Sequence, residues 1–138
     1  MADVTSAIRT YILNKPAVAD IIGQRMYVSI LRQNCQLPAA TIRKVSESHA
    51  HKLSDRTGNV ATRLQIDCYS KNYLTTASIA ETIYRSGIAA LKGVYAGLNI
   101  RGVMIEDGRR EWELFDPEGG DDHTYVAQFD LMVSYLEI

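Results

Sequence analysis

Long apolar runs are missing from this chain, and so are the residue groupings on which most catalysis depends. No stretch of its 138 residues approaches the roughly 20 apolar residues that a membrane-spanning helix needs, so no membrane partner is expected. Excess charge of either sign is missing too. A formal charge of −1 provides no electrostatic footprint for wrapping nucleic acid, although it leaves room for contact with DNA in passing. The two cysteines, Cys35 and Cys68, stand too far apart for a redox or zinc pair. Cys35 falls in a polar loop, and Cys68 is expected to pack as a small hydrophobe. The opening residues 1–6 have neither a basic nor an apolar export region, so export is not expected. Phosphate-binding glycine loops and nucleophile elbows are absent, and nothing in the sequence argues for an enzyme.

The organising stretch is residues 59–91. Val60, Thr62, Leu64, Ile66 and Cys68 alternate with Ala61, Arg63, Gln65, Asp67 and Tyr69, the period of a strand with one buried face. Beyond Ser70, Lys71 and Asn72 the period changes. Ala77, Ala80, Ile83, Tyr84, Gly87, Ile88 and Leu91 recur at helical spacing, which predicts one helix running to Leu91 and folded back onto the sheet.

The rest arranges itself around this pair. Asp3 or Thr5 caps a first helix bearing Val4, Ala7, Ile8, Tyr11 and Ile12. Pro16 opens a second short helix that ends at Gly23, with Val18, Ile21 and Ile22 buried. A short strand over 25–31 places Met26, Val28 and Ile30 together, and a polar loop runs to Pro38. Residues 39–48 form a strand of mixed faces, suited to an edge or an interface. Residues 47–58 read as a long polar loop, of the kind that is more often functional. Residues 98–106 form a strand, Asp107-Gly108 a turn, and 110–115 a strand pairing back on it. An acidic turn, 116–122, precedes a last strand with Tyr125, Ala127, Phe129, Leu131, Val133 and Tyr135 inward. The expected fold is α+β: two layers, a mainly antiparallel sheet packed by a long helix and an N-terminal helix, in one domain over 1–138.

Candidate chemistry is thin. His49 and His51 share a face if the strand is regular, and with His123 they could offer three imidazoles to a metal; a polar loop that happens to carry histidines accounts for them more simply. Asp116, Glu118, Asp121 and Asp122 lack the alternating ligand pattern of a calcium loop. Asp67 near Arg63 reads as a surface ion pair worth under about 1 kcal/mol. Eight tyrosines against two phenylalanines is unusual, and suits either half-buried sheet positions or a protein–protein interface.

Four stretches carry a resemblance. They are the run from Ala7 to Tyr27, the Leu37-Pro38-Ala39-Ala40 entry to the second strand, Leu64-Gln-Ile-Asp-Cys-Tyr-Ser-Lys-Asn-Tyr73 with its Ala-rich helix, and the closing Phe129-Asp-Leu-Met-Val-Ser-Tyr135. Together they resemble the tail-completion, or tail-terminator, family of long-tailed phages and phage-like particles. The resemblance implies a virion structural protein without catalytic residues, cofactor or metal, made in the host cytoplasm. It implies a homo-oligomer, a hexameric ring that caps the tail tube and faces a head-completion or neck protein, with DNA passing through the lumen without specific binding. Ser48, His49, His51, Lys52, Asp55 and Arg56 on one side, and Arg109, Arg110, Glu118, Asp121 and Asp122 on the other, are then the expected assembly contacts. The competing readings are a neck stopper subunit, a small metal-dependent enzyme on the three histidines, and a generic adaptor domain.

Overall fold

In the computed structural model the described residues are 3–31, 36–51, 56–106, 110–115 and 123–136, with side chains described for 3–31, 36–49, 59–106 and 124–136. Helices α1 (Val4–Leu13) and α2 (Pro16–Ile22) precede strands β1 (Met26–Val28), β2 (Ala39–His51) and β3 (Arg56–Ser70). Helix α3 (Tyr73–Tyr84) and a single 3-10 turn (Ile88–Ala90) follow, then β4 (Gly93–Tyr95), β5 (Leu98–Ile105), β6 (Arg110–Phe115) and β7 (His123–Leu136).

All strands belong to one sheet in the order β1-β2-β3-β7-β5-β4, with β6 also paired to β7. Only β1 against β2 is parallel. The fold is α+β, as the periodicities predict. Its centre is the β3–β7 pair, which runs in unbroken antiparallel register from Asn59↔Leu136 to Ser70↔Tyr125. The alternation on β3 does its work here: Val60, Thr62, Leu64, Ile66 and Cys68 are all buried. Directly opposite on β7, Ala127, Phe129, Leu131 and Val133 are buried as well. Each Val, Leu, Ile or Phe among them, withdrawn from water, stabilises the fold by about 1.5–3 kcal/mol. α3 packs over β3 and β7, and α1 over β1 and β2, so both layers close one core from Val4 to Val133.

The helix ends follow from their caps. Asp3 accepts from the Ser6 amide at the start of α1, and Gly23, at φ 59°, closes α2. Asn72 accepts from the amides of Leu74 and Thr75, at 2.9 and 3.3 Å, and starts α3.

The structure departs from the expected outline in several places. α3 stops at Tyr84 and Gly87 turns left-handed at φ 87°, so Ile88 and Leu91 reach the core from a 3-10 turn and the segment after it. The apolar spacing persists across the break, which is why the sequence reads as one helix. In the first strand only Met26 is buried; Val28 and Ile30 are exposed. Ile21 is only partly buried. Ala96 and Gly97, both at positive φ, turn a tight hairpin that adds β4 to the edge of β5.

The expected β5–β6 hairpin does not form. β6 lies end to end with β5 along the same edge of β7, Ile105 opposite Leu131 and Arg110 opposite Gln128. The chain therefore advances five residues while β7 advances three. β6 thus continues the edge of β7 that β5 occupies and does not pair back on β5. The long loop over 47–58 is likewise mostly ladder. β2 and β3 stay paired from Glu47↔Thr62 to His51↔Arg56, with register shifts at Lys44/Ser46 and His49/His51. On β2, residues 43–48 are all exposed, so that part of the strand has no alternation of buried residues to mark it in the sequence.

Candidate assembly interface

Of the residues expected to make contacts, only Ser48 and His49 have described side chains. His51, Arg56 and Arg110 hold backbone positions in β2, β3 and β6, and Lys52, Asp55, Arg109, Glu118, Asp121 and Asp122 lie outside the described residues. The ladders nevertheless place the two groups. The β2–β3 arm ends at His51↔Arg56, beyond the Asn59↔Leu136 end of the sheet. The β6–β7 hairpin ends at Phe115↔His123, at the other end of β7. The described ends of these two strand pairs therefore lie at opposite ends of one sheet.

The same register dissolves the three-histidine metal site. His49 is level with Val60 and hence with Tyr135, whereas His123 begins β7. Twelve residues of extended strand, about 40 Å, separate those two levels. His49 lies 3.5 Å from Glu47 instead. No group of three potential metal ligands occurs among the described residues, and the Cys68 side chain is buried in the core.

Glu47 is the hub of a small polar cluster on the arm. Lys44 Nζ lies 3.6 Å away and the Tyr135 hydroxyl donates to Oε1 at 3.2 Å. Burial pushes the Glu47 carboxyl up, but the Lys44 charge, the Tyr135 hydroxyl and His49 together outweigh it and hold the carboxyl below its ordinary value. This cluster fixes the base of the arm to the end of β7.

The face of the sheet away from the helices is polar but organised. Arg63 pairs with Asp130 at 3.0 Å and approaches Glu106 at 3.7 Å, and so does not pair with Asp67 as its sequence neighbourhood suggests. Asp67 accepts from Gln128 at 2.8 Å, from Gln65 at 3.4 Å and from the Tyr69 hydroxyl at 3.3 Å. Burial, with the Asp67 charge beside it and against a Thr41 hydrogen bond, pushes the Tyr69 hydroxyl up, so it remains a donor. The register aligns Ser48, Ala61, Ser134 and Gly102 in one row across four strands. Ser48, Ala61 and Ser134 leave a shallow cleft of about 350 Å3, with His49, Asn59, Arg101 and Tyr135 also in its lining. What the arrangement offers is surface.

No protein-family model matches the sequence, and no curated protein sequence matches it significantly. The fold does match. A chain in a solved structure described as the virion of a native gene transfer agent particle superposes with a TM-score of 0.59. Identity is 13%, and the match covers 96% of this chain and 94% of that one. The two chains share a fold from end to end.

Two features were not legible in the sequence. The outer edge of β2 beyond β1, and the outer edge of β5 beyond β4, pair with no described strand. Val45 on the first and Met104 on the second are exposed, at 48% and 63%. The one available signal was the mixed-face composition of residues 39–48. The tyrosines divide: Tyr73 stacks edge-on against Tyr125 and Tyr11 against Tyr95, so these serve the fold, while Tyr73 also keeps half its surface exposed.

Proposed function

We propose that this chain is a structural protein of a phage or phage-like particle, a tail terminator whose copies form a ring, six in number by the resemblance, on the end of the tail tube. The observation that carries this reading is the end-to-end match of fold to a chain of a gene transfer agent virion, with almost nothing of either chain left over. The ordered sequence resemblance to the tail-terminator family supports the specific role. So does the placement of the β2–β3 arm and the β6–β7 hairpin at opposite ends of the sheet, because a terminator must meet the tube on one side and the neck on the other. Residues Ser48, His49, His51, Lys52, Asp55 and Arg56 belong to the first contact region, and Arg109, Arg110, Glu118, Asp121 and Asp122 to the second.

In this reading DNA passes the ring without being held. A balance of 15 basic and 16 acidic residues suits passage, since strong phosphate binding would stall transit. The reading is tested by adding purified chain to tail tubes of its parent particle and imaging them in negative stain. A ring at one end of the tubes is expected. Binding along the tube walls, or none, would overturn the terminator role and leave the neck stopper as the better reading.

A further inference from the structure

We infer that copies of this chain join edge to edge, the open 43–48 margin of β2 in one copy receiving the open 101–105 margin of β5 in the next. The joint rests on the ring reading above and gives that ring its contact.

Both margins are open for a definite reason. β1 covers only Ala40, Thr41 and Ile42 of β2. Ser29 then donates to the Ile42 carbonyl at 2.8 Å and, at φ 74°, turns the chain off the edge. On the far side β4 covers only Leu98, Asn99 and Ile100 of β5. Beyond these short strands each margin presents unpaired backbone N–H and C=O groups, the natural template for another strand.

The two margins match in height and direction. Register carries Lys44 through Leu64 and Leu131 to Ile105, and Ser48 through Ala61 and Ser134 to Gly102. The open part of β2 therefore lies level with the open part of β5. β2 is antiparallel to β3, β3 to β7 and β7 to β5, so β2 and β5 run in opposite directions. A copy rotated about an axis along the strands brings these edges together antiparallel. Such a contact is head to tail, the kind that generates closed rings.

The side chains agree. Each margin carries an exposed apolar residue at corresponding height, Val45 on one and Met104 on the other. Arg43, through Gln65 and Asp130, stands at the level of Glu106, whose amide bonds to Asp130 at 2.9 Å, and Lys44 is one residue further on. The bulge between Lys44 and Ser46 keeps the β2 edge from accepting any flat strand. A second copy that accommodates the bulge gains both the apolar and the charged contact.

The experiment is a cysteine pair, Val45→Cys with Met104→Cys, in a Cys35→Ser background, oxidised in the presence of tail tubes and run without reductant. A ladder of covalent multimers up to the ring is expected, and neither single-cysteine variant should give it. In parallel, Lys44→Pro tests the backbone. The N–H of Ala40 and the C=O of Ile42 serve the outer edge, so alternation turns the Lys44 N–H outward as well. Its loss, together with the weak, partly exposed Lys44–Glu47 pair, should leave a folded monomer that melts a little below the parent but lower the ring population at least tenfold. Val45→Lys, on an exposed side chain, provides a second variant whose folding is not at risk, with the same expected loss. Rings that form with no ladder and are unchanged by Lys44→Pro and Val45→Lys would overturn the joint and leave the ring reading standing. Absence of any ring from the unmodified chain with tubes would remove the ring and this joint together.

Discussion

Arg63 on β3 reaches diagonally across the open face to Asp130 on β7, Nη1 to Oδ2 at 3.0 Å, and its other terminal nitrogen lies 3.7 Å from Glu106 at the end of β5. One guanidinium thus ties three strands at the point where the β5–β6 edge is interrupted. Arg63→Ala leaves the mostly buried Asp130 carboxylate without its ion-pair partner and should cost about 1–3 kcal/mol. Urea denaturation measures this, and a loss under about 0.5 kcal/mol would show the tie to be ornamental.

The same sheet has a dry side that tolerates no charge. Ile66 is fully buried opposite Phe129, and Ile83 is fully buried on α3 above them. Ile66→Asp or Ile83→Asp should abolish cooperative folding, since each buries an unpaired carboxylate. The milder Ile83→Ala should cost about 2–5 kcal/mol and still melt cooperatively. Circular dichroism melting checks both; a soluble, cooperatively melting aspartate variant would contradict the burial described.

These apolar positions are the part of the fold that the sequence declares. Alternation over 60–68 and 125–135 and the helical stripe over 79–83 are consequences of one-sided burial, and one-sided burial is what periodicity records. The wet elements leave no such record. On β2, residues 43–48 are all exposed, so the polar run there imitates a loop. Asp107-Gly108 suits a reversal or an interruption equally well, and only the pairing of β6 with β7 distinguishes them. The open margins of β2 and β5 depend on how far β1 and β4 extend, a property of pairing that no single stretch encodes.

Both ends of the α3 segment are set by single residues. Asn72→Ala removes the acceptor for the Leu74 and Thr75 amides and should cost about 1 kcal/mol. Gly87→Ala should cost at least about 1 kcal/mol through its left-handed backbone, since the nearest atom to an added Cβ, the Tyr11 hydroxyl, is a comfortable 3.8 Å away. Equal stability of the Gly87→Ala protein would contradict the αL turn.

Acid should loosen the base of the arm. The folded Glu47 carboxyl titrates below its ordinary value of 4.5, so its contribution is present above that pH and is lost as pH falls through the folded value. The effect is small, because Glu47 and its partners are partly exposed. Carboxyl titration by NMR should find Glu47 below 4.5, moving upward in Tyr135→Phe. A Glu47 titration unchanged by Tyr135→Phe would contradict the cluster.

The account as a whole depends on the chain's place in a particle, and electron microscopy of particles assembled without it tests that most directly. The account predicts filled heads without attached tails, and free tails of uncontrolled length whose ends lack a ring, with normal particles restored when the chain is supplied. Intact particles with tails of normal length, made in its absence, would contradict it.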